Sequence, residues 1–93
     1  MAYLTTRSDG YYKIKYKSLK NNRLTNLNLE TKNKEAAKFL FLKIEDILNA
    51  LTLGTNLSEE TLSWLNFVRC QKIYQTLSEH GLIDNFITDM MSL

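Results

Sequence analysis

The chain has 93 residues, 44% hydrophobic and 24% charged, with a net charge of +2. That is ordinary globular composition rather than that of a disordered tail, in a length that suits one domain or a compact domain with a helical appendage. A single cysteine excludes an internal disulfide framework, and no run approaches the ~20 apolar residues of a membrane span.

In chain order, residues 2–7 read as a short strand, closed by the turn signal Ser8-Asp9-Gly10. Residues 11–17 alternate in period two, with Tyr12, Ile14 and Tyr16 on one face and Lys13, Lys15 and Lys17 on the other. Residues 18–22 are polar and turn-like. Residues 23–29 alternate again, setting Thr25, Leu27 and Leu29 against Leu24, Asn26 and Asn28. Two alternating runs joined by a short loop read as a hairpin, and the first strand extends it to a three-stranded antiparallel meander.

The period then changes. Ala37, Leu40, Phe41, Ile44, Ile47, Leu48 and Leu51 recur at three- and four-residue steps, the apolar stripe of a helix over 34–51. Asn33 is its expected N-cap and Gly54 its stop. The stripe suits the Tyr12/Ile14/Tyr16 face of the sheet, giving two layers around one core. Ser58-Glu59-Glu60 starts a second helix, a capping hydroxyl followed by two carboxylates at the positive helix end, running to about Leu65. A third helix is expected over 67–79, ending at Gly81. Residues 84–93, with Phe86, Ile87, Met90 and Met91 at helical spacing, read as one more short helix or a frayed tail. The expected fold class is α+β: a three-stranded antiparallel sheet on one long helix, then a small helical hairpin and a short C-terminal helix or tail. The expected domains are 1–53, sheet plus helix, and 54–93, a helical appendage.

The charge is unevenly spread. Residues 1–34 hold eight basic against two acidic side chains, a net +6, and residues 35–93 hold four against eight, a net −4. Such asymmetry points to a polyanionic partner for the first third only, the plain alternative being a solvated basic surface. The opening MAYLTTRSDG has no apolar stretch of the secretory kind, so a reducing, cytoplasmic setting is expected by elimination.

Enzyme chemistry finds no support. His80 and Cys70 are the only histidine and cysteine, so neither a Ser/His/Asp nor a Cys/His constellation forms. His80 precedes Gly81 at a helix end, where the dipole favours a partly charged imidazole, and a structural or solvent role suits it. Cys70 reads as a small core residue within a helix. Glu59 and Glu60 are adjacent on a helix and do not face each other. The three glycines are too far apart for a phosphate loop, and no metal-ligand spacing exists. No catalytic residue, metal site, cofactor or small-molecule substrate is expected.

The nucleic-acid reading rests on geometry. If Tyr12, Ile14 and Tyr16 face the helix, then Tyr11, Lys13, Lys15 and Lys17 face away, joined by Tyr3, Thr5 and Arg7 on one side and Leu24, Asn26 and Asn28 on the other. That face is basic, aromatic and amide-bearing. The duplex major groove admits a narrow β-ribbon; lysines there meet phosphates or guanine acceptors, and asparagine pairs with an adenine edge. The candidate DNA-binding set is Tyr3, Thr5, Arg7, Tyr11, Lys13, Lys15, Lys17, Arg23, Asn26 and Asn28. Lysine on a wet sheet face also serves simply to block edge pairing. Tyr3 and Tyr11 allow stacking of single-stranded RNA bases, a lesser reading without an RNP-like motif beside them.

The succession MAYLTTRSDGYYKIKY, RLTNLNLETKNKEAAKFLFLKIEDIL, LGTNLSEETLSWL and LSEHGLI resembles the amino-terminal region of phage and bacterial tyrosine recombinases, the integrases, over roughly residues 1–83. Its most specific piece is Ser58-Glu59-Glu60-Thr61-Leu62-Ser63-Trp64-Leu65. The resemblance implies an arm-type DNA-binding module of a mobile element, active in DNA integration and recombination. Its sheet would enter the major groove through the face bearing Lys13, Lys15, Asn26 and Asn28. The family's core-binding and catalytic domains, with the arginines, lysine, histidines and tyrosine nucleophile, have no counterpart in these residues, so cleavage and strand exchange do not carry over. Glu30 stands where that family commonly has glycine after the second hairpin strand. Lysine and asparagine replace many of its arginines, which weakens bidentate guanine reading. The implied partners are double-stranded DNA and other recombinase domains or subunits, with no membrane. The alternative is a protein-interaction or regulatory module of a mobile element, working through the helical C-terminal half.

Overall fold

The computed structural model describes residues 2–18 and 22–83. Three strands, β1 (Ala2–Thr6), β2 (Tyr12–Lys17) and β3 (Leu24–Asn28), are followed by three helices, α1 (Lys34–Leu53), α2 (Glu59–Phe67) and α3 (Lys72–Glu79). The α+β class and the three-stranded antiparallel sheet are as expected. The expected helix or tail over 84–93 lies outside the described residues. No described helix is long and apolar enough to cross a membrane. The chain forms two compact units, 1–45 and 46–93, and the division falls inside α1.

In the first unit the strand order is β1-β2-β3, antiparallel throughout. Ile14 pairs with Leu4 on one side and Leu27 on the other. Because successive side chains alternate in direction, that register puts Ala2, Leu4, Tyr12, Ile14, Tyr16, Thr25 and Leu27 on one face. Ile14 and Leu27 are fully buried, Tyr16 nearly so, and Ala37 and Ile44 of α1 are fully buried in the same unit.

The β1–β2 connection is residues 7–11, turning through Ser8, Asp9 and Gly10 between Arg7 and Tyr11. The Gly10 N–H donates to the Arg7 carbonyl at 3.0 Å and the Arg7 N–H to the Tyr11 carbonyl at 2.6 Å. Gly10 has φ +90°, a conformation that closes a type I turn into a hairpin and that residues with a Cβ resist.

α1 begins as its sequence dictates, the Asn33 side chain accepting from the Ala36 N–H at 3.0 Å. It runs two residues past the expected Leu51, and the Thr55 N–H reaches back to the Ala50 carbonyl at 3.0 Å around Gly54. Of its apolar stripe, Ala37, Ile44 and Ile47 are fully buried and Leu40, Phe41, Leu48 and Leu51 half-buried.

In the second unit, Ser58 caps α2 and accepts from the Thr61 N–H at 3.3 Å. Its hydroxyl donates to Asp46 Oδ2 at 3.1 Å and lies 3.1 Å from the buried Thr61 Oγ1. Leu57, Trp64, Leu65, Val68, Leu77, Leu82 and Ile83 form the apolar interior of this unit with Ile47 and Ala50.

Two expectations are corrected here. The third helix begins at Lys72, not at residue 67, because Phe67 is the last residue of α2 and a turn intervenes, the Gln71 N–H donating to the Val68 carbonyl at 2.8 Å. Cys70 therefore sits in that turn and is exposed, rather than buried within a helix.

Candidate nucleic-acid interface

The register that buries Ile14 and Leu27 assembles the opposite face. One row across the sheet is Tyr3, Lys15 and Asn26; the next is Thr5, Lys13 and Asn28; Lys17 stands opposite Leu24. Neighbouring strands lie about 4.8 Å apart and alternate residues about 7 Å, so each row is ~10 Å wide. The major groove is about 12 Å wide. The three lysines form a central column, with a tyrosine and a threonine on one flank and two asparagines on the other. Every member of the sequence-derived set that lies on a strand falls on this one face.

Exposure is graded. Tyr3, Lys17, Asn26 and Asn28 are exposed, and Leu24 is 68% exposed. Lys13 and Lys15 are half-buried, although a wet strand face leads one to expect them exposed. Both are on the central strand, flanked on each side by a neighbouring strand, and a lysine so placed can bury its aliphatic stem without burying its charge.

Tyr11, Arg7 and Arg23 lie beyond the strand ends. The alternation of β2 continues to Tyr11, whose N–H donates to Asp9 Oδ1 at 3.2 Å. Arg7 forms an ion pair with Asp9 at 3.1 Å, and its guanidinium lies 6.0 Å from the Tyr11 ring centre. Arg23 is exposed just before β3, and its carbonyl accepts from the Ser18 N–H at 2.9 Å and the Thr25 hydroxyl at 3.3 Å.

Lys32 is the residue that periodicity does not reveal. The Leu29 N–H donates to the Tyr12 carbonyl at 3.1 Å, while the Tyr12 N–H donates to the carbonyl of Thr31, two residues further on, at 2.9 Å. Residues 29–31 thus bulge opposite Tyr12, with Glu30 at φ +58°. The bulge carries the chain back past the end of β2 and sets Lys32 Nζ 4.9 Å from the Tyr11 ring centre. The only sequence trace of it is Glu30 itself, at the position where the resemblance leads one to look for glycine.

His80 belongs to the second unit. It is the C-cap of α3 as expected, but it is half-buried, and burial pushes its pKa down while neighbouring Glu79 pulls it partly back. Burial likewise raises the Tyr16 phenol on the inner sheet face. Among the described residues no three of His, Cys, Asp and Glu cluster so as to hold a metal ion.

Comparison with protein-family models, with curated proteins and with solved structures finds no match for this chain.

Proposed function

We propose that the first unit is a double-stranded DNA-binding module of a tyrosine recombinase-like protein, with the Lys13/Lys15/Lys17 face of the sheet in the major groove and no catalysis of its own. The supporting observation is the shared register: the pairing that buries Ile14 and Leu27 also aligns three lysines, two asparagines, Tyr3 and Thr5 on the other face. Lysines and the threonine hydroxyl supply phosphate contacts, and Asn26 and Asn28 have the donor–acceptor pair that an adenine edge accepts. The left-handed Glu30 agrees with the resemblance, since that is the conformation for which a family would keep glycine. In this reading the protein works in the cytoplasm, on DNA of a mobile element, beside other recombinase domains or subunits.

The test is binding of the full chain to a pool of duplexes between 50 and 200 mM salt, on the order of the range over which counterion release is read. Neutralisation of Z phosphates gives log K against log salt a slope of about −0.9Z, and roughly 3–5 contacts are expected from this face. Lys13→Gln with Lys15→Gln keeps the first two methylenes of each stem and removes two charges, so the slope should become shallower by ~1.8 while the fold persists. Salt-independent binding, no binding at low salt, or tighter binding to single-stranded RNA than to duplex would overturn the reading.

A further inference from the structure

We infer that Lys32 is a phosphate anchor at the loop end of the DNA-binding face, and that the Tyr11 ring positions it. This rests on the reading of the sheet as a duplex-binding surface and extends it to a residue outside the three strands. The column Lys17, Lys15, Lys13 and Tyr11 follows the alternation of β2 for ~20 Å, about six base-pair steps of duplex at 3.4 Å each. At its far end the column changes from cation to ring. The bulge at residues 29–31 brings Lys32 Nζ over that ring at 4.9 Å, so the positive track continues past the strand. An ammonium over an aromatic face is held by the ring quadrupole while its outer side stays open to an anion.

Arg7 is the obvious rival for the same role, but its guanidinium is 3.1 Å from the Asp9 carboxylate, which neutralises it. Asp9 is also fixed by the Tyr11 N–H, at 3.2 Å. The loop thus sets one cation against its own carboxylate and leaves Lys32, nearer the ring centre, to meet the backbone of the duplex. Contacts of that kind position a protein on DNA without reading sequence, unlike the amides of Asn26 and Asn28.

The experiment compares the full wild-type chain with Lys32→Ala, Lys32→Arg, Tyr11→Phe and Tyr11→Leu, by fluorescence anisotropy on several duplexes of differing sequence across a salt series. Lys32→Ala should make the slope shallower by about 0.9 and weaken every duplex by the same several-fold factor. Lys32→Arg and Tyr11→Phe should keep the wild-type slope, and Tyr11→Leu should lose as much as Lys32→Ala. Unfolding midpoints of all four variants separate lost anchoring from lost fold. A wild-type slope retained by folded Lys32→Ala refutes the anchor even while the chain binds duplex. A wild-type slope retained by Tyr11→Leu refutes the positioning role of the ring. Failure of the wild-type chain to bind duplex refutes the underlying reading as well.

Discussion

At the scale of single residues, Glu30 is the most instructive. Its φ of +58° places a side chain where Cβ meets the following carbonyl, a cost of about 1–2 kcal/mol for residues other than glycine. The bulge requires that conformation, because the chain must leave β3 and still return a carbonyl, that of Thr31, to the Tyr12 N–H. Glu30 has an interaction of its own, so the backbone effect is best isolated by comparing two truncations. Glu30→Gly should be more stable than Glu30→Ala by about 1 kcal/mol in denaturant unfolding. Equal midpoints would show that the left-handed turn is not maintained in solution. Lys32 explains why part of the site was invisible in the sequence. Its place beside Tyr11 depends on this one backbone reversal, and no periodic pattern encodes such a step. Lys13, Lys15, Asn26 and Asn28 were legible because alternation alone decides their face.

At the scale of elements, what was legible follows from how strongly each pattern is specified. The strands were readable to within one residue at each end, since a register slip would turn Ile14 and Leu27 out of the core. α1 was readable from its stripe and from Asn33, a cap with a measurable bond. The start of α3 was not, because Phe67 and Val68 continue the apolar spacing of α2 toward Ile73 and Tyr74. The break between them is made by backbone bonds rather than by glycine or proline. Val68 instead closes α2, donating to the Trp64 carbonyl, and leaves Phe67 78% exposed and Cys70 in the turn. Ser58 does more than a cap ordinarily does. It satisfies the Thr61 N–H, supports the buried Thr61 hydroxyl and ties the start of α2 to Asp46. Ser58→Ala should therefore cost about 1–3 kcal/mol, and Ser58→Asn less, since its neutral amide restores the cap without setting a second carboxylate against Asp46. Thermal or urea unfolding measures both; a loss well below 1 kcal/mol for the alanine variant would deny the network its role.

At the scale of the whole molecule, the division into compact units is also a division of charge. Residues 1–45 hold ten basic and four acidic side chains, a net +6, and residues 46–93 hold two basic and six acidic, a net −4. On the proposed reading, a polyanion is attracted to the first unit and repelled by the second. The overall +2 conceals this, and only the split, joined to the sheet register, gives the charge a location. The measurement that tests the central claim most directly is an NMR titration of the full chain with duplex DNA at low salt. Resonances of Tyr3, Thr5, Lys13, Lys15, Asn26 and Asn28 should move first and furthest, with those of α2 and α3 nearly still. Shifts concentrated on α2 and α3, with the sheet face unmoved, would contradict it.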